Sequence, residues 1–217
     1  EVSRVLEIKM VPSPIELGTI LISNTRVTSN VQHTLYNRIT HDNFVDRLQS
    51  TTGAEEYVLR TKIHWESFRK ARKTCKLSIA TFITKLLSNS LPTGTVMVAR
   101  KRRLHPHCPL CHTQEEDILH MLTCQSQSTS THRETLLQDL KLWLTTSKTD
   151  PDITQFLITG LRSWFLDPFG DEPLHQSSNH NTFVALTDQL ELGWFALLCG
   201  YLANTLIQIQ HQYFLSI

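Results

Sequence analysis

The chain has 217 residues, 40% of them hydrophobic, with 21 Lys plus Arg against 20 Asp plus Glu. That composition excludes wholesale disorder and suits one large domain or two small ones, while a net charge of +1 supplies no global attraction for nucleic acid or an acidic membrane. Any such affinity has to come from local clusters.

The sequence opens at Glu1 with no charged-then-apolar leader, so we expect no secretory signal and read the chain as a piece of a longer polypeptide. Residues 4–11 alternate, with Leu6, Ile8 and Met10 on one side and Glu7 and Lys9 on the other, as a half-buried strand does. A second extended run, Thr19 to Ser23, completes an expected small N-terminal β-hairpin. Ser29 and Gln32 then form a capping box for a helix over about 30–48, and residues 51–54 read as a loop.

From Trp65, the residues Phe68, Ala71, Cys75, Ile79, Phe82 and Leu86 recur every three or four positions, an apolar stripe along one long helix or two shorter ones. Opposite it, Arg69, Arg72, Lys73 and Lys76 fall within a sector of roughly 100°. That basic face is either a solvated surface or a phosphate contact. The sequence NSLPTG, Asn89 to Gly94, ends the helix, and a second basic run follows as Arg100, Lys101, Arg102 and Arg103.

Residues 108–124 read CPLCHTQEEDILHMLTC, placing Cys108, Cys111, His120 and Cys124 at the spacing C-x2-C-x8-H-x3-C. Two residues between Cys108 and Cys111 let a tight turn, stiffened by Pro109, aim both sulfurs at one point. Four residues separate His120 from Cys124, which on a helix sets them one above the other, and Thr113 with Glu116 offers that helix a capping box. Thiolates and a neutral imidazole suit Zn²⁺, and four protein ligands close its tetrahedron, so the spacing predicts a structural zinc site with no open position for a reacting water. Three cysteines serving as small core residues are the bland alternative. His105, His107 and His112 crowd the knuckle and remain open as replacements for His120.

Beyond the motif, Gln125 to Thr131 reads as a polar Ser/Thr linker, and Leu136, Leu137, Leu140, Trp143 and Leu144 mark an amphipathic helix. Asp150 and Pro151 take the N-cap and N1 positions of the next helix, and residues 166–181 read as a mobile loop. The stretch Phe183 to Phe214 is helical in pattern, interrupted by Asn204, Gln208, Gln210 and His211 too soon for a membrane span. Gly193 and Gly200, seven apart, read as a close-approach face for a neighbouring helix. With three of its five cysteines at metal-ligand spacing and the other two, Cys75 and Cys199, far apart, the chain has no disulfide framework and points to a reducing compartment, nucleus or cytoplasm. The fold class is thus mainly α, a helical scaffold around a Cys3His zinc knuckle, in three parts: 1–54, 55–125 and 126–217.

Lys85 with Leu91-Pro92-Thr93, then CPLC at Cys108 to Cys111, Glu115-Glu116-Asp117, and Leu119-His120 followed by Cys124 resemble the zinc-binding region of reverse transcriptases from non-LTR retrotransposons, which lies downstream of the polymerase domain. The resemblance covers roughly Trp65 to Cys124. It implies handling of element RNA or target DNA alongside the parent reverse transcriptase domain, and not polymerisation by this chain. The family's aromatic-x-Asp-Asp pattern is missing, as are H-E-x-x-H, Walker A, G-x-S-x-G and the P-C-x-x-C of zinc deaminases, since His107 separates Pro106 from Cys108. The first expectation is therefore a non-catalytic zinc module that contacts RNA or DNA through Arg69, Arg72, Lys73, Lys76 and Arg100 to Arg103, with Trp65, His105 and His107 as stacking surfaces. The second is a structural or protein-interaction zinc module, a decayed element fragment that binds no nucleic acid.

Overall fold

A computed structural model describes residues 20–22, 25–27, 30–32, 45–46, 49–50, 55–170 and 180–217. The chain separates into two compact units, Glu1–Asp46 and Arg47–Ile217. In the first, strand β1 (Ile20–Ile22) pairs antiparallel with β2 (Thr25–Val27), with Ile20 opposite Val27 and Ile22 opposite Thr25. β1 lies in the extended run expected at Thr19 to Ser23, but among the described residues its partner is β2. The expected strand over 4–11 lies outside the described residues, as do the loop over 51–54 and most of the helix over 30–48, of which residues 31–32 and 45–46 are helical.

The second unit is helical. Its elements are α1 (Glu56–Thr61), α2 (Trp65–Thr74), α3 (Leu77–Leu87), α4 (Gly94–Ala99), α5 (Ile118–Thr123), α6 (Gln127–Thr146), α7 (Pro151–Leu166), α8 (His180–Leu192), α9 (Trp194–Leu198) and α10 (Asn204–Ser216). The mainly α reading of the sequence holds, and no helix among the described residues is long and apolar enough to cross a membrane.

The core is built on α7 and α8. The side chain of Asp150 caps α7 by accepting from the backbone N–H groups of Asp152 and Ile153, and Pro151 follows at the first helical position. Ile153, Phe156, Leu157, Ile158 and Leu161 then bury a wide face against α5, α6, α8 and α9. Each such side chain contributes about 1.5–3 kcal/mol by leaving water. α8 packs on α7 and also against α1, α9 and α10. Residues 62–64 close the unit by pairing with residues 202–204: the N–H of His64 donates to Leu202 O at 2.8 Å and that of Asn204 to Lys62 O at 2.7 Å.

The structure decides one alternative that the sequence left open and changes two of its expectations. The stripe from Trp65 breaks at Cys75 and Lys76, both extended, so α2 and α3 are separate helices. Its ends are core, since Phe68 stacks on the buried Tyr201 ring at 4.5 Å and Leu86 is buried, whereas Ile79 and Phe82 are exposed. The C-terminal pattern splits into α8, α9 and α10 because Gly193 and Gly200 have φ of 84° and 90°, values outside any right-handed helix that glycine reaches without a Cβ clash. The two glycines end helices; the close helix approach is at Gly160, where a Cβ would fall 1.9 Å from the Trp194 ring. Finally, part of the expected linker over 125–131 is the start of α6, capped by Ser126, whose Oγ accepts from the N–H of Thr129. Of the loop expected over 166–181, residues 171–179 lie outside the described residues.

Candidate metal centre

The knuckle forms because residues 106–116 fold back on themselves. His107 and Glu115 pair as an antiparallel bridge, the N–H of Cys108 donates to Gln114 O at 2.8 Å, and that of Glu116 donates to Pro106 O at 2.7 Å. At the tip, the N–H of His112 returns to Cys108 O at 2.9 Å, with His112 in the left-handed region at φ 59°. The knuckle is held to the scaffold through Glu116, whose carbonyl accepts from the N–H of Thr95 and whose carboxylate pairs with Arg103 at 2.7 Å.

α5 supplies the other half. Its N-cap is Asp117, whose Oδ1 accepts from the N–H of His120 at 2.7 Å, in place of the Thr113–Glu116 capping box expected from sequence. Glu116 is committed to Arg103 and cannot reach back as that box requires. Cys124 is the C-cap of α5, so His120 and Cys124 share the last turn. Ile118 is buried, away from the ligand side.

Cys108, Cys111, His120 and Cys124 converge, with one potential ligand atom from each lying within 4.8 Å of all the others. Cys108 Sγ is 3.8 Å from Cys124 Sγ, and Cys111 Sγ is 3.3 Å from His120 Nε2. A zinc tetrahedron with Zn–S of about 2.3 Å and Zn–N of about 2.0–2.1 Å has edges of about 3.8 Å between sulfurs and about 3.5 Å between sulfur and nitrogen. The Cys108–Cys124 and Cys111–His120 separations are close to two edges of such a tetrahedron, and the Cys108 and Cys124 sulfurs are far beyond the disulfide bond length of about 2.05 Å. His120 is the histidine in this group; His105, His107 and His112 are exposed.

Burial divides the site. Cys108 and Cys124 are 3% and 1% exposed, whereas Cys111 and His120 are half-buried. The Thr113 side chain and the backbone N–H groups of Thr113 and Gln114 hold the Cys111 thiol down to about 5, as hydrogen bonds to an anion do. Burial pushes the Cys108 thiol up. A metal binds the thiolate and displaces its proton, so metal affinity is expected to fall as pH falls. Between pH 8 and pH 6, Cys111 is already ionised and adds no slope, while Cys108 costs about tenfold in affinity per pH unit for its one displaced proton. Competition against a chromophoric chelator across that range measures it, and a flat profile would contradict the assignment.

One residue of the site escaped the sequence reading. Arg133 on α6 is 9% exposed, and its Nη1 donates to Cys124 O at 2.7 Å and to Leu122 O at 3.1 Å. Its guanidinium lies 5.5 Å from the centre of the Phe165 ring. Burial lowers its pKa and the nearby Cys124 acts the other way. Arg133 falls on the same α6 face as the buried Leu137 and Leu144, so a charge standing on an apolar stripe was the available signal.

The expected basic residues lie on two segments, α2 with the residue after it and the turn after α4. On α2, Arg69 and Lys73 are exposed, and Arg72, also exposed, donates to Thr84 Oγ1 at 2.7 Å and lies over the Phe68 ring. Lys76 is exposed between α2 and α3. Arg100, Lys101 and Arg102 are exposed after α4 and make no ion pair with a described residue, while Arg103 is occupied by Glu116 and by His107 O, to which its Nη2 donates at 2.6 Å. Trp65 is half-buried and packs edge-on against Phe68 and Tyr201. His105 and His107 are exposed with ring centres 6.4 Å apart. Comparison of the chain with protein families, with curated proteins and with solved structures finds no match.

Proposed function

We propose that Cys108, Cys111, His120 and Cys124 hold one structural zinc ion, and that the chain is a non-catalytic zinc module of a retrotransposon reverse transcriptase-like polyprotein that assists RNA or target-DNA binding. The observation carrying the metal assignment is the Cys3His cluster at tetrahedral spacing. Zinc follows from the ligand chemistry, since three thiolates and one imidazole suit it better than a hard cation. When bound, the ion supplies a cross-link between knuckle and α5; the four protein ligands leave it no vacant position for a substrate.

The nucleic-acid role rests on the sequence resemblance and on placement. Arg100, Lys101 and Arg102 stand exposed just before the knuckle, and Arg69, Lys73 and Lys76 are exposed along and beyond α2. Each cation that neutralises a phosphate releases counterions, so binding is expected to weaken steeply with salt, and the slope of log affinity against log salt is expected to drop by about one or a little less for each contact removed. Titrating the full chain with single-stranded RNA and DNA over a range of salt tests this. Replacing Arg100, Lys101 and Arg102 together by Ala should reduce the slope on these single strands by about two if all three reach phosphate. No binding at low salt, or an unchanged slope, would leave the second reading, a structural or protein-interaction zinc module. That reading draws on the near-neutral net charge and on the bonds that already engage Arg72 with Thr84 and Arg103 with Glu116.

A further inference from the structure

The zinc reading leaves an electrostatic question. Three thiolates and a neutral imidazole around Zn²⁺ carry one unit of negative charge. The sequence offered Arg100 to Arg103 as the offsetting cations, yet three of these are exposed to water and the fourth is paired with Glu116. Arg133 has the opposite problem. The residue as a whole is 9% exposed, and among the described residues no carboxylate pairs with its guanidinium. Its hydrogen-bond acceptors are the carbonyls of Leu122 and Cys124, Gln125 Oε1 at 3.5 Å and Ser130 Oγ at 3.3 Å, all neutral. A buried charge without an opposite charge is strongly disfavoured. Both imbalances vanish if the two charges answer each other.

We infer that Arg133 is the buried counter-cation of the metal centre, a positioning residue that neutralises the Cys3His–zinc cluster and fixes Cys124 through its carbonyl. The guanidinium sits beside a ligand residue: Nη1 lies 2.7 Å from the carbonyl oxygen of Cys124, and the Cys124 thiol interacts with it electrostatically. Leu122 O and Cys124 O belong to the C-terminal end of α5, where the helix dipole also favours a cation. The Phe165 ring covers the guanidinium from α7 and keeps water off it, which strengthens its attraction to the cluster. Gln125 extends the arrangement: its Nε2 donates to Phe165 O at 2.6 Å while its Oε1 faces Arg133, so the segment leaving the metal site is tied to α6 and α7 together.

This inference rests on the zinc reading, and one experiment separates the two. Zinc affinity of the full chain is measured by chelator competition for the native protein, Arg133→Gln and Arg133→Lys. Gln keeps a hydrogen-bond donor for the carbonyls without the charge, and Lys keeps both. Arg133→Gln should weaken zinc binding by roughly 10- to 100-fold, and Arg133→Lys should recover most of that loss. In the Co²⁺-substituted Lys variant the thiolate-to-metal absorption should keep its native position, as an intact four-ligand set requires. If the native chain takes up no zinc, the zinc reading itself fails. If it does, and Gln binds as tightly as native or Lys binds no better than Gln, the counter-cation is refuted and the zinc reading stands. Circular dichroism at saturating zinc covers misfolding: Lys folding where Gln does not supports the charge, and failure of both reduces Arg133 to packing and overturns it.

Discussion

Removing zinc is expected to destabilise the chain by several kcal/mol, and Cys124→Ser should abolish high-affinity binding even with excess metal. Structural zinc in small modules binds with about 10–16 kcal/mol of apparent free energy, much of which appears as folding energy. Residues 105–117 bury only Cys108, so they have little core of their own to survive without the ion. Taken alone, the knuckle and α5 would confine the damage to residues up to 124. The structure extends it, because Cys124 is the point where Arg133 of α6 and the Gln125 link to α7 meet the knuckle. Hydrogen exchange before and after chelation resolves the order. The amides of Cys108, His112 and Glu116 should lose protection first and the start of α6 next, while Phe156 and Leu161 inside α7 stay protected. Unchanged exchange at Cys108 and Glu116 on chelation would contradict the assignment.

How much of this was legible beforehand depends on how local the cause is. The four ligands were, because a two-residue turn and a four-residue helical step are local geometry that spacing encodes. The cap of α7 was legible for the same reason, Asp150 and Pro151 being a two-residue signal. The start of α5 was misplaced because both Thr113 and Asp117 can cap, and the choice between them was made at a distance by Arg103 occupying Glu116. Periodicity also hid the breaks at Gly193 and Gly200, since a seven-residue step returns to the same helix face whether or not the helix is continuous between them. Arg133 was invisible as a site residue because its partners, two carbonyls and a ring, belong to α5 and α7. A charge in an apolar stripe announces that a partner exists but not which one.

Gln189→Leu should be among the most damaging single substitutions outside the metal centre, although it replaces a polar residue on α8 by a good helix former of similar size. Gln189 is 1% exposed, and its side chain makes two of the bonds that hold the turn between α9 and α10: Nε2 donates to Tyr201 O at 3.2 Å, and Oε1 accepts from the N–H of Ala203 at 2.9 Å. The same turn carries Tyr201, against which Trp65 and Phe68 of α2 pack, and Ala203, which pairs with Ile63. Leucine would leave a buried carbonyl and a buried N–H without these partners, at about 1–3 kcal/mol each, and the gain in apolar burial does not offset that because the space is already filled by a side chain of the same volume. A net loss of about 3 kcal/mol corresponds to a fall in melting temperature of roughly 10 °C for a chain of this size. Thr187→Ala, at a half-buried position on the same helix where the hydroxyl donates back to Phe183 O, is the control and should stay within about 0.5 kcal/mol. Because Gln189 touches none of the four metal ligands, zinc stoichiometry in Gln189→Leu should remain native while the melting temperature falls. A drop in both together would mean that the turn and the knuckle unfold as one unit.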